Sequence, residues 1–180
     1  MNATKIFCTF LLMSFFMQIS TSSANDPVHK TEAEGIVNYS RIGSETGFGG
    51  TTAPEAMAFL AEEGYSTVIN LRQESEEGAY VQAEGMAAEA MGINYVHLPF
   101  ASGNPAPGYI EQFLAAVEDP SNQPVYIHCG SATRAAALWM SKRVIADGWS
   151  LDEAAEEARQ IAGKPDTAVE FAQKYIESQE

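Results

Sequence analysis

Between Cys129 and Arg134 lie four small residues, Gly130, Ser131, Ala132 and Thr133. The apolar run 124–128 precedes them, and an alanine-rich stretch of helical character follows from Ala135. A buried strand, a tight loop and a helix in that order can turn backbone N–H groups inward at the positive end of the helix, and together these make an anion site. The dipoles that attract an oxyanion also stabilise a thiolate, so a cysteine at the mouth of such a loop acts as a nucleophile. Arg134, in the first turn of the helix, can hold two phosphate oxygens with its planar fork, which lysine cannot reproduce. The candidate catalytic pair is therefore Cys129 and Arg134, and the candidate phosphate-binding set is Gly130, Ser131, Ala132, Thr133 and Arg134. The competing reading makes Cys129 a buried small hydrophobe and Arg134 a surface charge. Against it stands the combination of a strand-terminal cysteine, a small-residue loop and an arginine opening a helix. His128 alternates to the opposite face of the strand from Cys129, which predicts a hydrogen-bonded inward histidine rather than a general base.

The elements that must position this loop follow from the periodicity of the chain. Short apolar runs of strand type at 36–42, 66–71, 93–100 and 124–128 alternate with longer helical stretches. Thr52 with Glu55 predicts a capping box for a helix reaching Glu63, and Gly64 stops it. Further helices are expected over 80–91, closed by Gly92, and over 108–118. After the fourth strand come a helix over 134–147 ending at Gly148, a second boxed by Ser150 and Glu153, and a third over 167–178 capped by Asp166. This predicts an α/β fold of three layers. A mostly parallel central sheet of four to five strands is flanked by about six helices, with the phosphate-binding loop between the last strand and the following helix.

Composition bounds the setting. Lys5, the apolar run 6–16 and the small residues Ser22, Ser23 and Ala24 read as a secretory signal peptide over residues 1–24, so the expected location is exported, periplasmic or secreted. Residues 25–34 read as a flexible polar arm and 35–180 as one domain. Of the two cysteines, Cys8 leaves with the signal, and a single remaining thiol excludes a disulfide framework. With Lys5 removed, nine basic residues face 24 acidic ones, a formal charge of −15. Such a surface repels nucleic acid and anionic lipid, so neither is an expected partner. The residues imply no metal and no cofactor.

Around these residues the chain resembles the cysteine-dependent protein tyrosine phosphatase superfamily, and most closely its bacterial beta-lactamase hydrolase-like branch, which is similar to dual-specificity phosphatases. The resemblance extends from the Cys129 to Arg134 loop to the segments 64–72, 92–99 and 148–150. It implies a phosphocysteine intermediate on Cys129, Arg134 as the phosphoryl ligand, and a phosphorylated protein or small phosphoester as substrate. Three departures accompany it. Four residues rather than the usual five separate Cys129 from Arg134, a spacing shared with rhodanese sulfurtransferases, which makes a Cys129 persulfide the rival chemistry. Ala135 replaces the hydroxyl residue that commonly follows the arginine. The segment 100–107 lacks the aspartate general acid of related enzymes. The acidic turn 73–78 offers Glu74, Glu76 and Glu77 as candidate acids, although a solvated turn is the plainer reading, and Arg72 is expected to pair with that turn. Loss of the hydroxyl and the acid also admits a catalytically weak oxyanion-binding protein.

Overall fold

The computed structural model describes residues 26–101 and 108–178. The predicted signal peptide lies outside the described residues. Six strands form one sheet: β1 (Val28–Lys30), β2 (Ser40–Ile42), β3 (Thr46–Gly49), β4 (Thr67–Asn70), β5 (Asn94–His97) and β6 (Val125–His128). Their spatial order is β1-β2-β3-β6-β4-β5. β1, β2 and β3 pair antiparallel, whereas β3 with β6, β6 with β4 and β4 with β5 are parallel. The sheet is thus mostly parallel, and β6 is enclosed on both sides.

Among the described residues there are six α-helices: α1 (Met57–Glu62), α2 (Val81–Ala90), α3 (Tyr109–Glu118), α4 (Thr133–Ile145), α5 (Leu151–Ile161) and α6 (Pro165–Glu177). They sort onto the two faces by the period-two alternation of the strands. Ile69, Val125, Ile127 and Cys129 pack with α3, α4, α5 and α6. Val68 and Tyr126 point the other way, against Met57 and Leu60 of α1 and Ala88 of α2. This gives the expected three layers, with six strands in place of four to five.

Three local expectations need correction. The predicted flexible arm contains β1, whose Val28 to Lys30 pair with Ile42 to Ser40, so backbone hydrogen bonds hold that part of the segment to the sheet. Thr52 caps no helix. Its hydroxyl is turned inward to the Gly50 carbonyl at 3.1 Å and the Tyr126 hydroxyl at 2.8 Å, and a turn of 3-10 helix begins instead at Pro54. Asp166 falls inside the first turn of α6, where Lys164 occupies the cap position without a side-chain bond. The Ser150–Glu153 box does form at the start of α5.

Where only one long strand was expected over 36–42, a hairpin of β2 and β3 stands. β3 carries Gly47 and Gly49 because two tyrosines lie against its face: a β-carbon on Gly49 would come within 1.8 Å of the Tyr126 hydroxyl oxygen. Glycine lets the ring approach the backbone, at the cost of the apolar alternation by which a strand is recognised.

Candidate active site

The parallel strands deliver their carboxyl ends to one rim of the sheet, where α/β proteins place their sites. β3 leads to Thr51, β4 to Arg72 and the acidic turn, β5 towards Phe100 and Ala101, and β6 to Cys129. A cleft of about 510 Å³ opens there, lined by Gln73, Glu76, Ala101, Cys129, Gly130, Ser131, Thr133, Arg134, Lys164 and Thr167. Cys129 is only 1% exposed at its floor.

The loop is shaped by donors outside it. The Gly130 carbonyl accepts the Thr51 N–H at 3.1 Å and the Thr51 hydroxyl at 3.2 Å. The Ser131 carbonyl accepts the Gly163 N–H at 2.9 Å. In a trans peptide the following N–H points opposite to its carbonyl, so anchoring these oxygens in the body of the protein turns the Ser131 and Ala132 amides the other way. Ala132 takes a left-handed conformation, φ 63°, and begins α4 without a side-chain cap. The first-turn N–H groups of that helix are consequently left for a ligand or solvent. Thr133 shares its hydroxyl with Ser131 at 2.9 Å and accepts the Lys164 N–H at 3.1 Å. The junction between α5 and α6 thus clamps the loop from outside, a role for which the sequence offered only the helix-breaking Gly163 and Pro165.

Arg134 is fixed by four bonds. Its guanidinium donates to the carbonyls of Leu71 at 3.1 Å and Phe100 at 2.7 Å, and to both oxygens of Glu76 at 2.7 Å each. Burial by itself lowers the Arg134 pKa, but the Glu76 hydrogen bond and attraction to Cys129 outweigh it and raise the value above the ordinary arginine one. For Glu76 burial pushes upward, and the Arg134 hydrogen bond, the Gln73 N–H and the charges of Arg134 and Arg72 together bring it down to about 2. Glu76 is accordingly an ionised partner of Arg134 and carries no proton to donate near neutral pH.

Glu74 and Glu77 are exposed and absent from the cleft lining. Arg72 is 4% exposed, donates to the carbonyls of Glu77 and Gly78, and lies 3.4 Å from Glu76, so it ties the acidic turn to β4. His128 is fully buried on the far face from Cys129, stacked on Tyr126 with ring centroids 5.7 Å apart, but the hydrogen bond expected of it is not made, since neither ring nitrogen has a partner among the described residues. The cleft therefore gathers Cys129, Gly130, Ser131, Thr133, Arg134 and Glu76. Ala132 is buried beneath it.

Residues 16–176 match the family described as DSP-PTPase phosphatase fused to NAD+ kinase. The chain belongs to this family. It is a phosphatase of the tyrosine and dual-specificity type. Two curated relatives match part of the chain: NAD kinase 2, chloroplastic, of Arabidopsis thaliana is 31% identical over 108 residues, or 57% of this chain, and the probable NAD kinase 2, chloroplastic, of Oryza sativa subsp. japonica is 29% identical over 44% of it. The matched part is 11% and 8% of those proteins, so the chain spans about a tenth of their length.

Solved structures share the phosphatase fold. The catalytic domain of the PP-IP phosphatase SIW14 from S. cerevisiae, in complex with citrate, aligns with a TM-score of 0.65 at 22% identity, covering 82% of this chain and 95% of that one. P. aeruginosa TpbA aligns at 0.62 and 17% identity over 77% of this chain and 84% of its own. A cysteine-to-serine form of TpbA, solved in complex with pTyr, aligns at 0.62 and 16% identity over 80% and 88%. A DSP-PTPase phosphatase with a four-residue loop between Cys129 and Arg134 is thus built on the same architecture as these enzymes.

Proposed function

We propose that this phosphatase hydrolyses phosphate monoesters, aryl phosphates foremost, through a phosphocysteine on Cys129 with Arg134 binding the phosphoryl oxygens. The observation that carries the reading is a single cleft that encloses Cys129, Gly130, Ser131, Thr133 and Arg134 while the loop carbonyls of Gly130 and Ser131 are bonded elsewhere. In the first step the sulfur lone pair forms the S–P bond as the P–O bond to the leaving group breaks, and the leaving oxygen keeps that electron pair. Water then attacks phosphorus, the S–P bond breaks, the thiolate returns, and phosphate departs with the proton balance made by solvent. Backbone amides and the Arg134 fork hold the equatorial oxygens through both steps.

Glu76 supplies no proton in this arrangement, and Ala135 offers no hydroxyl to help the sulfur leave. Both features favour substrates whose departing oxygen is weakly basic, which is the basis for aryl phosphates or phosphotyrosine. Lys164 lines the same cleft and, among the described residues, has no carboxylate at ion-pair distance, which adds an uncommitted positive charge beside the loop. Export after cleavage at Ala24 belongs to the same proposal, and the N-terminal mass of the secreted protein tests it.

The experiment compares para-nitrophenyl phosphate hydrolysis with sulfur transfer from thiosulfate to cyanide, in the wild type, Cys129→Ser and Arg134→Lys. Expected are hydrolysis without sulfur transfer in the wild type and no turnover in Cys129→Ser. Arg134→Lys should lose about a hundredfold or more, because a point charge cannot make the two-oxygen contact. Hydrolysis surviving in Cys129→Ser would overturn the covalent route, and sulfur transfer in place of hydrolysis would assign the persulfide chemistry.

A further inference from the structure

Glu84 is a carboxylate with no solvent exposure, carried on α2 and unused by the reaction above. Donors from two strands converge on its Oε2, and a ring nitrogen from a third lies close. Asn70 of β4 donates at 2.7 Å, the Tyr95 hydroxyl of β5 at 2.9 Å, and His128 Nε2 of β6 lies 3.2 Å away. Asn70 is itself held by the Tyr95 hydroxyl at 2.7 Å and by the Arg72 N–H at 2.7 Å. A carboxylate placed among apolar neighbours is costly unless donors surround it. Here they bond one oxygen only: Glu84 Oε1 and both His128 ring nitrogens, Nδ1 and Nε2, have no hydrogen-bond partner among the described residues, so Glu84 meets His128 by close approach and not by a hydrogen bond. Fold stability alone does not favour the orphaned Glu84 Oε1, since an apolar residue on α2 would avoid it.

The consequence falls on His128. Its ring is stacked on Tyr126 at an interplanar angle of 13°, and its Nε2 lies 3.2 Å from Glu84 Oε2, so it is packed between the two. The next peptide carries Cys129, whose N–H is bonded to the Gly49 carbonyl at 3.2 Å. We propose that Glu84 is a positioning residue for the phosphatase reaction, holding His128 and thereby the Cys129 sulfur in the attacking orientation. This rests on the reading of Cys129 as the nucleophile. The oxyanion contacts of the loop and Arg134 do not pass through Glu84, so the effect belongs to the chemical step rather than to binding.

The test is Glu84→Gln in the full chain, which keeps the shape and one acceptor oxygen while removing the charge. Expected is a fall in kcat for para-nitrophenyl phosphate of about tenfold to a hundredfold, as for a small misplacement of a reacting group. Inhibition by vanadate should stay within about twofold of the wild type. Alkylation of Cys129 by iodoacetamide at one fixed pH should slow. A purely structural role predicts the reverse, because loosening the site exposes a buried thiol and speeds alkylation. Wild-type kcat, or faster alkylation with weakened vanadate binding, overturns the proposal.

Should Glu84→Gln fail to fold, Tyr95→Phe removes one donor to the same oxygen. It should lower kcat by a smaller factor with vanadate inhibition unchanged, and wild-type kcat in that variant overturns the proposal equally. Cys129→Ser, assayed alongside, separates the two levels. If it retains hydrolysis the nucleophile reading fails; if it is inactive while Glu84→Gln turns over normally, only the role of Glu84 fails.

Discussion

Each of the two terminal nitrogens of Arg134 lies 2.7 Å from an oxygen of Glu76. The residue assigned to bind phosphate is thus already bonded to a resident carboxylate, the two-oxygen geometry that a phosphoryl group would also offer. Glu76 orients the guanidinium and, at the same time, spreads negative charge next to the oxyanion site.

Removing that charge separates the two effects. Glu76→Gln should bind phosphate or vanadate tighter by about tenfold, equivalent to roughly 1.4 kcal/mol, because a like charge beside the ligand is gone. The same variant should lose stability on the order of 1 kcal/mol, a modest amount because the pair is partly exposed and screened. The pH dependence has a definite sign. The Glu76 pKa is depressed from an ordinary 4.5 to about 2, so its contribution is complete above pH 4.5 and is lost as pH falls towards 2. Thermal unfolding of the wild type should show that decline, and Glu76→Gln should be flatter over the same window. Identical profiles would mean that the pair does not contribute.

Absence of a proton on Glu76 also bears on turnover. A general acid matters more as the leaving oxygen becomes more basic. kcat/KM across a series of aryl phosphates should therefore fall steeply with leaving-group pKa, with alkyl esters such as phosphoserine among the poorest substrates. A flat dependence would reveal an acid, and Glu74→Gln, Glu76→Gln and Glu77→Gln made singly would show which carboxylate it is by steepening the slope.

The clamp from the α5–α6 junction gives a structural prediction. A β-carbon on Gly163 would sit 2.4 Å from the Ser131 carbonyl oxygen, far inside van der Waals contact. Gly163→Ala should cost about 1–3 kcal/mol of stability, the usual range for overpacking. Since the displaced atom belongs to the phosphate-binding loop, phosphate affinity should fall as well. Unaltered affinity, read by vanadate inhibition, would show that the loop is held without this contact.

Much of this molecule is written locally. Strand, tight loop and helix around Cys129 were legible because a strand-terminal cysteine, four small residues and an arginine at a helix start carry their own conformational preferences, and β4, β5 and β6 are apolar runs bounded by turn residues. The Ser150–Glu153 box reads equally well, since both partners lie within one helical turn. β1 and β3 were not legible. One is a polar edge strand, and the other is half glycine because the Tyr65 and Tyr126 rings rest on it. Thr52 followed the capping pattern yet turned inward to Tyr126, 74 residues away. Nor could spacing show that Glu76, rather than Glu74 or Glu77, would meet Arg134 across 58 residues, or that Glu84 would face His128. Sequence alone determined which residues could be reactive and the local backbone that carries them; tertiary structure decided their charge partners, because such contacts depend on which strands the sheet sets side by side.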